Sequence, residues 1–270
     1  MTTTLPELEG ILLEERGGVL FVTLNRPKQR NALSNEMLVG LCRVADHIEQ
    51  ARPRAVVLRG AGGTFCAGGD LSSFRNVFQG GAPDPGQIAA VNRTYGTALA
   101  AWDRLPVAVI VAVEGAAMAG GLGLVAIADV AIATTSARFA LTETKLGLTP
   151  AQISPFVIGR IGLHHARRLM LTSLVIDAAE AMRLTLVDEI VTDSAALDEA
   201  IDRTLNQVLR CAPAANALTK ELAHTALEMD REALLDHAAA RFAETMLGAE
   251  AREGIASFLG KRDPEWAVTV

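Results

Sequence analysis

Between residues 11 and 133 the chain repeats one pattern: a short apolar run, a break at glycine or proline, and then a stretch of helical periodicity. The runs are Ile11–Arg16, Val19–Asn25, Ala55–Leu58, Val107–Val113 and Val130–Ala133. Gly17-Gly18 between the first two signals a hairpin, and Arg26-Pro27 ends the second. Ser34 reads as an N-cap, followed by Met37, Leu38, Leu41, Val44, Ala45 and Ile48 at helical spacing to about Gln50. A second helix is predicted over Gln87–Arg104, with Pro106 opening the next strand. Strands that recur with helices between them bury both faces of a mostly parallel sheet, which predicts an α/β fold.

Beyond Pro150 the character changes to helices, predicted over Glu180–Arg183, Ala195–Arg210, Ala214–Leu227 and Arg231–Leu247, interrupted by one apolar piece, Leu186–Val191. The predicted division is a core over 1–195 and a helical region over 196–270. In the latter, Leu234, Leu235, Ala238, Phe242 and Met246 share one helix face, which must pack on the chain's own core or on another subunit.

A chain of 270 residues with 50% hydrophobic and 21% charged residues can bury a core without disulfides or metal. Its net charge of -6, with no basic run longer than a pair, gives no electrostatic footprint for nucleic acid or anionic lipid. Cys42, Cys66 and Cys211 lack metal or redox spacing and read as reduced thiols, which predicts a cytoplasmic protein without a metal. The acidic start, with Glu7, Glu9, Glu14 and Glu15, is unlike a secretory signal. The most apolar stretch, Val107–Ala128, is broken by Glu114 and four glycines, so it reads as buried strand, turn and helix and not as a membrane span.

Two glycine-rich segments follow predicted strands: Thr64–Leu71, running into a predicted short helix at Leu71–Arg75, and Glu114–Gly123, opening a helix. Glycine permits tight turns and close approach to backbone N–H groups, and a helix start adds unpaired donors. Two such loops facing each other would make a pocket for a developing oxyanion; each alone is better explained by turns and close packing. Gly121, Gly123 and Ala126 also fit G-x-G-x-x-A, with Glu143 twenty residues on, but seven residues separate Val113 from Gly121, which argues against a dinucleotide fingerprint. Glu143, flanked by Phe139-Ala140-Leu141 and Leu146-Gly147-Leu148, is a candidate for proton transfer, or else an ion-pair partner of Lys145 or Arg138. Cys66 reads as a small buried filler, Glu114 and Asp129 as ion-paired or capping groups, Asp70 as a helix cap, and His164-His165 as the surface start of a helix after Gly162.

Taken in order, Leu24–Lys28 with Asn31-Ala32-Leu33, Phe65–Leu71, Pro106–Gly115, Ala119-Gly120-Gly121, Asp129, Glu143–Leu148 and Glu253–Arg262 resemble the crotonase superfamily, also called the enoyl-CoA hydratase/isomerase family. The resemblance spans nearly the whole chain. It implies a crotonase-like spiral of β/α turns with a helical C-terminal trimerisation region, giving a homotrimer or a dimer of trimers. It implies an acyl-CoA thioester as substrate, with CoA part of that substrate and no separate cofactor. By motif position, the N–H groups of Gly69 and Gly120 match the oxyanion hole, and Glu143 the acid/base. Lys28, Ala32, Ala67, Gly68, Asp70 and Leu71 match the region lining CoA, and Lys261 matches a cation that can meet the nucleotide phosphates of an adjacent subunit. The chain departs from the family's two-glutamate hydratases at Gly123, where the first glutamate stands; isomerases of the family work with the one glutamate present here. The segment Phe139–Phe156 is similar to that of isohexenylglutaconyl-CoA hydratase-type members, and Phe74–Pro85 is expected to border the acyl pocket. A noncatalytic acyl-CoA-binding relative is the remaining alternative.

Overall fold

The computed structural model describes residues 5–72 and 84–269. Strands β1 (Ile11–Arg16), β2 (Val19–Leu24), β3 (Ala55–Gly60), β4 (Ala108–Val113), β6 (Val130–Thr134) and β9 (Glu189–Val191) form one sheet in the order β1-β2-β3-β4-β6-β9. Only β1 runs antiparallel, pairing Arg16 with Val19 across the Gly17-Gly18 turn. The other neighbours are parallel.

Period-2 alternation sorts the central strands between two cores. Val56 and Leu58 of β3 and Val109, Val111 and Val113 of β4 join the larger core. It also takes in Met37, Leu41, Val44 and Ile48 of α1 (Asn35–Ala51) and Ala98, Leu99 and Trp102 of α2 (Pro85–Asp103). Ala55, Val57, Ile110 and Ala112 face the other way, onto Leu197, Ile201, Leu205 and Leu209 of α6 (Ser194–Leu209). Burial on both faces explains why these strands read as continuous apolar runs. Ser34 caps α1 by accepting from the Met37 N–H at 3.3 Å, a bond of the kind that contributes about 1 kcal/mol.

A second, three-stranded sheet, β5-β7-β8, comprises β5 (Ala116–Met118), β7 (Arg138–Ala140) and β8 (Ile176–Asp177). At two or three residues each, these strands are too short to show a period. Helix α3 (Gly120–Ala126) follows β5 directly. Helix α4 (Ser154–Thr172) is two helical pieces joined at Gly162, where φ 75°, ψ 156° breaks helical geometry; the second begins after Gly162 as expected, and the first, from Ser154, precedes it. Helix α5 (Ala178–Arg183) precedes β9, so the apolar piece Leu186–Val191 splits into buried Leu186 and Val187 and an edge strand.

The C-terminal helices are α7 (Pro213–Thr225), α8 (Arg231–Leu247) and α9 (Ala249–Leu259). The apolar face expected on α8 does not pack on the chain's own core: Phe242 is 69% exposed, and Phe258 of α9 is 83% exposed. Of the region expected to border an acyl chain and the short helix before it, residues 73–83 lie outside the described residues. No described helix is long and apolar enough to cross a membrane.

Candidate active site

The candidate residues cluster where β2, β3 and β4 end. In an open parallel sheet, ligands bind outside the carboxyl ends of the strands, because there the loops diverge over free backbone groups. After β2 the chain makes a 3₁₀ turn, Pro27–Gln29, which leaves Lys28 exposed. Buried Asn31 adopts φ 55°, a conformation asparagine tolerates, and ties this turn to the loop after β3. Its amide donates to the carbonyls of Ala61 (2.8 Å) and Thr64 (2.6 Å), and its Oδ1 accepts from the Arg26 N–H at 2.8 Å. Arg26 in turn donates to the Ala32 carbonyl at 2.7 Å and pairs with Asp70 at 2.9 Å.

The first glycine loop is held from both sides. Leu33 bridges Gly69: its N–H donates to the Gly68 carbonyl (2.8 Å), and its carbonyl accepts from the Asp70 N–H (3.0 Å). In a parallel bridge of this register the N–H of Gly69 points away from Leu33. Ala67 donates to the Arg30 carbonyl at 3.0 Å. Asp70 Oδ1 accepts from the Ser72 N–H at 3.1 Å, as expected of a cap, and its pairing with Ser72 and Arg26 holds its carboxyl below the usual range. Leu71 is exposed at the loop's end.

The second glycine loop lies directly on the first. Cys66 bridges Ala117, its N–H donating to the Ala116 carbonyl and its carbonyl accepting from Met118. A Cβ at Gly68, whose φ is +97°, would lie 2.9 Å from the Ala119 side chain; one at Gly121 would lie 2.6 Å from the Cys66 carbonyl oxygen. Gly120 packs against the Leu33 side chain, 3.0 Å from where its Cβ would be. Leu33 is thus the common neighbour of Gly69 and Gly120. As the first residue of α3, Gly120 carries one of the N–H groups that have no partner within the helix. Cys66 is fully buried, which pushes its thiol up to about 12 and fits the filler expected.

Glu143 reaches the same place from the second sheet. Met118 pairs with Ala140, and the Ala119 N–H donates to the Ala140 carbonyl at 2.8 Å, so the chain arrives at Glu143 three residues later, beginning a 3₁₀ turn at Glu143–Leu146. Neither expected ion pair forms: Lys145 is exposed, and Arg138 donates to the carbonyls of Thr135 and Ala137. Glu143 Oε2 is buried with no hydrogen-bond partner. Burial pushes the carboxyl above its ordinary value, partly opposed by the backbone N–H groups of Glu143 and Thr142.

No motif or spacing in the sequence marks one further residue of the cluster. Tyr95, on α2, is buried and donates its hydroxyl to the Gly120 carbonyl. The only sequence signal was that it is the chain's single tyrosine.

Lys261 is not brought to this cluster within one chain. It follows α9 in a segment anchored where Arg54 donates to the Trp266 carbonyl at 2.7 Å. Arg54 precedes β3, so this is the opposite end of a six-residue strand about 20 Å long. Glu114 and Asp129 are structural, as expected: Glu114 meets Arg59 at 3.7 Å, and Asp129 meets Lys220 at 2.6 Å while accepting from the Val109 N–H. A separate cleft of about 450 Å³, lined by Glu14, Arg16, Phe21 and Arg59, is matched in charge: Arg16 pairs with Glu14 and Arg59 with Asp198.

This arrangement can polarise a carbonyl with two main-chain donors and move a proton with one desolvated carboxylate. Residues 14–268 match the family model described as enoyl-CoA hydratase/isomerase. The solved structure of Pseudomonas aeruginosa AtuE superposes with a TM-score of 0.93 at 46% identity, covering 96% of this chain and 100% of that one. The short-chain-enoyl-CoA hydratase of Clostridium acetobutylicum is 31% identical over 96% of this chain and 98% of its own length. The 1,2-epoxyphenylacetyl-CoA isomerase of Escherichia coli is 32% identical over the same shares, 96% and 98%. With a family model spanning nearly its whole length and relatives aligned almost end to end, the chain belongs to the enoyl-CoA hydratase/isomerase family, the crotonase superfamily.

Proposed function

We propose that this protein hydrates a 2-enoyl-CoA, with a branched or glutaconyl-type acyl group, through an enolate stabilised by the N–H groups of Gly69 and Gly120. The observation that carries the reading is the unpaired, buried Glu143 Oε2, on the turn that follows Ala140, the residue paired with Met118 and bonded to Ala119 of the second glycine loop. A carboxylate left without a counter-charge in a desolvated place is unfavourable for folding alone and suits proton transfer near neutral pH.

In the addition, the water oxygen bonds to C3 as Glu143 takes one of its protons. The C2=C3 electron pair moves toward the thioester oxygen, where charge develops that the ground-state carbonyl lacks. Donors fixed in advance by the Leu33 bridge and the start of α3 stabilise that charge without reorganising. Glu143 then returns the proton to C2. Lys28, Ala32, Ala67, Gly68, Asp70 and Leu71 border the CoA in this reading. Lys261 serves a neighbouring subunit of a trimer or dimer of trimers, whose contacts would cover the exposed apolar residues of α8 and α9.

Double-bond isomerisation is the second reading, favoured by Gly123, which offers no side chain to share a water with Glu143. A panel of 2-enoyl and 3-enoyl thioesters read by mass spectrometry separates the two: hydration adds the mass of one water, whereas isomerisation leaves the mass unchanged. Glu143→Gln is expected to lower turnover by ~10³-fold while CoA-ester binding survives; full activity in that variant would refute the assignment.

A further inference from the structure

Gly123 raises a question the hydratase reading must answer, since one carboxylate alone leaves half of a water molecule unheld. An ideal Cβ at Gly123 would lie 2.7 Å from Tyr95 Oη and 3.2 Å from Ile153 Cγ2. The space a side chain at 123 would enter is therefore already taken by the phenol of a residue on another helix. That phenol donates its single proton to the carbonyl of Gly120, the residue whose N–H is a proposed oxyanion donor.

We propose that Tyr95 Oη is the second acceptor for the attacking water, filling from α2 the place that Gly123 leaves open on α3. The inference rests on the hydratase reading above. With its proton committed to Gly120, the hydroxyl can only accept toward the pocket. Water has two protons to donate: one goes to the unpaired Oε2 of Glu143, the other to Tyr95 Oη. As the C3–O bond forms, the proton facing Glu143 transfers and is later delivered to C2, while the proton facing Tyr95 stays on the product hydroxyl. Tyr95 gains and loses nothing. Burial, Cys66 and the charge of Glu143 hold the phenol's pKa well above its ordinary value, so it stays protonated and its bond to Gly120 stays made.

The test uses the full-length protein and a 2-enoyl-CoA that the wild type hydrates. Failure of the wild type to hydrate any 2-enoyl-CoA overturns the hydratase reading and this inference with it. Where the wild type does hydrate, an unchanged kcat in Tyr95→Phe overturns the inference alone and leaves the hydratase reading standing. Tyr95→Phe keeps the ring and removes the acceptor; kcat is expected to fall about tenfold or more, the effect of one lost hydrogen bond, with KM within about threefold. Unchanged kcat refutes the proposal. The double variant Tyr95→Phe/Gly123→Glu decides the case in which Tyr95→Phe also loses thermal stability. Removing Oη frees the space at 123, and a carboxylate there restores an acceptor. Recovery of hydration above the single variant supports the water-holding role, and no recovery assigns Tyr95 to packing alone and overturns it.

Discussion

Gly121→Ala tests the joint between the two glycine loops. Its φ is in an ordinary region, so alanine carries no conformational penalty there and the effect is purely one of contact. The added Cβ would sit 2.6 Å from the Cys66 carbonyl oxygen and 2.8 Å from the Cys66 Cβ. That is about 0.8 Å short of an ordinary van der Waals contact at the nearer atom, and the obstacle is backbone already bonded to Met118. Relief requires the start of α3 to move off the Cys66–Gly69 segment, which separates the N–H groups of Gly120 and Gly69. A misplacement approaching 1 Å at a reacting site can lower the rate by ~10²-fold, and overpacking of this kind destabilises by ~1–3 kcal/mol. The expected outcome is kcat down by ~10²-fold, a thermal midpoint lower by several degrees, and a smaller loss of CoA-ester affinity. Steady-state kinetics with differential scanning calorimetry reads all three. An alanine variant with kcat within about threefold of wild type and an unchanged midpoint would show that the loops are not in this contact.

Glu143→Gln should raise the thermal midpoint at neutral pH. The folded-state carboxyl is raised above its unfolded value, so its charged form opposes folding once pH exceeds that raised value; the gain should shrink as pH falls below it, in scans across pH. The acid limb of kcat/KM for hydration should likewise lie above the range of an ordinary glutamate, because the base must be ionised. Asn31→Ala should destabilise by ~3 kcal/mol or more, since each buried backbone group left unpaired costs ~1–3 kcal/mol and alanine tolerates φ 55° poorly; denaturant titration measures it. Gly159→Ala, in α4 with nothing within 4 Å of the new Cβ, should stabilise by ~0.5–1 kcal/mol, visible as a higher denaturant midpoint at unchanged slope.

What the sequence made legible was what repeats along it. β2, β3, β4 and β6 announce themselves as apolar runs because both sheet faces are buried, and α1 because a capping serine precedes a clean helical stripe. The second sheet stayed invisible for the converse reason: β5, β7 and β8 owe their existence to pairing between residues far apart in the chain. At the candidate site, Gly69, Gly120 and Glu143 are suggested by glycine placement, apolar flanks and family resemblance, but whether Glu143 meets Arg138 or Lys145 is legible only in the coordinates. Tyr95 escaped because a tyrosine inside an amphipathic helix looks like core. Its meaning depends on Gly123, 28 positions away, and only the packing of α2 against α3 joins the two.

The glycines of the two loops are therefore not interchangeable. At Gly68 the positive φ itself excludes other residues, and at Gly121 the obstacle is backbone, so a side chain at either position must displace the loops. At Gly123 the nearest atoms are the end of a phenol and a branched aliphatic chain, which a substitution elsewhere can remove. Gly68 and Gly121 set how closely the two loops approach, and under the proposed reading a change there should disturb every reaction that passes through an enolate. Gly123 leaves room for the phenol of Tyr95. A family that shares one oxyanion geometry can vary its chemistry at such a position, because replacing one side-chain end with another changes the proton inventory of the pocket without moving the amides. Under the proposed reading, the pair Tyr95 and Gly123 separates adding water from shifting a double bond, and the two main-chain donors are common to both.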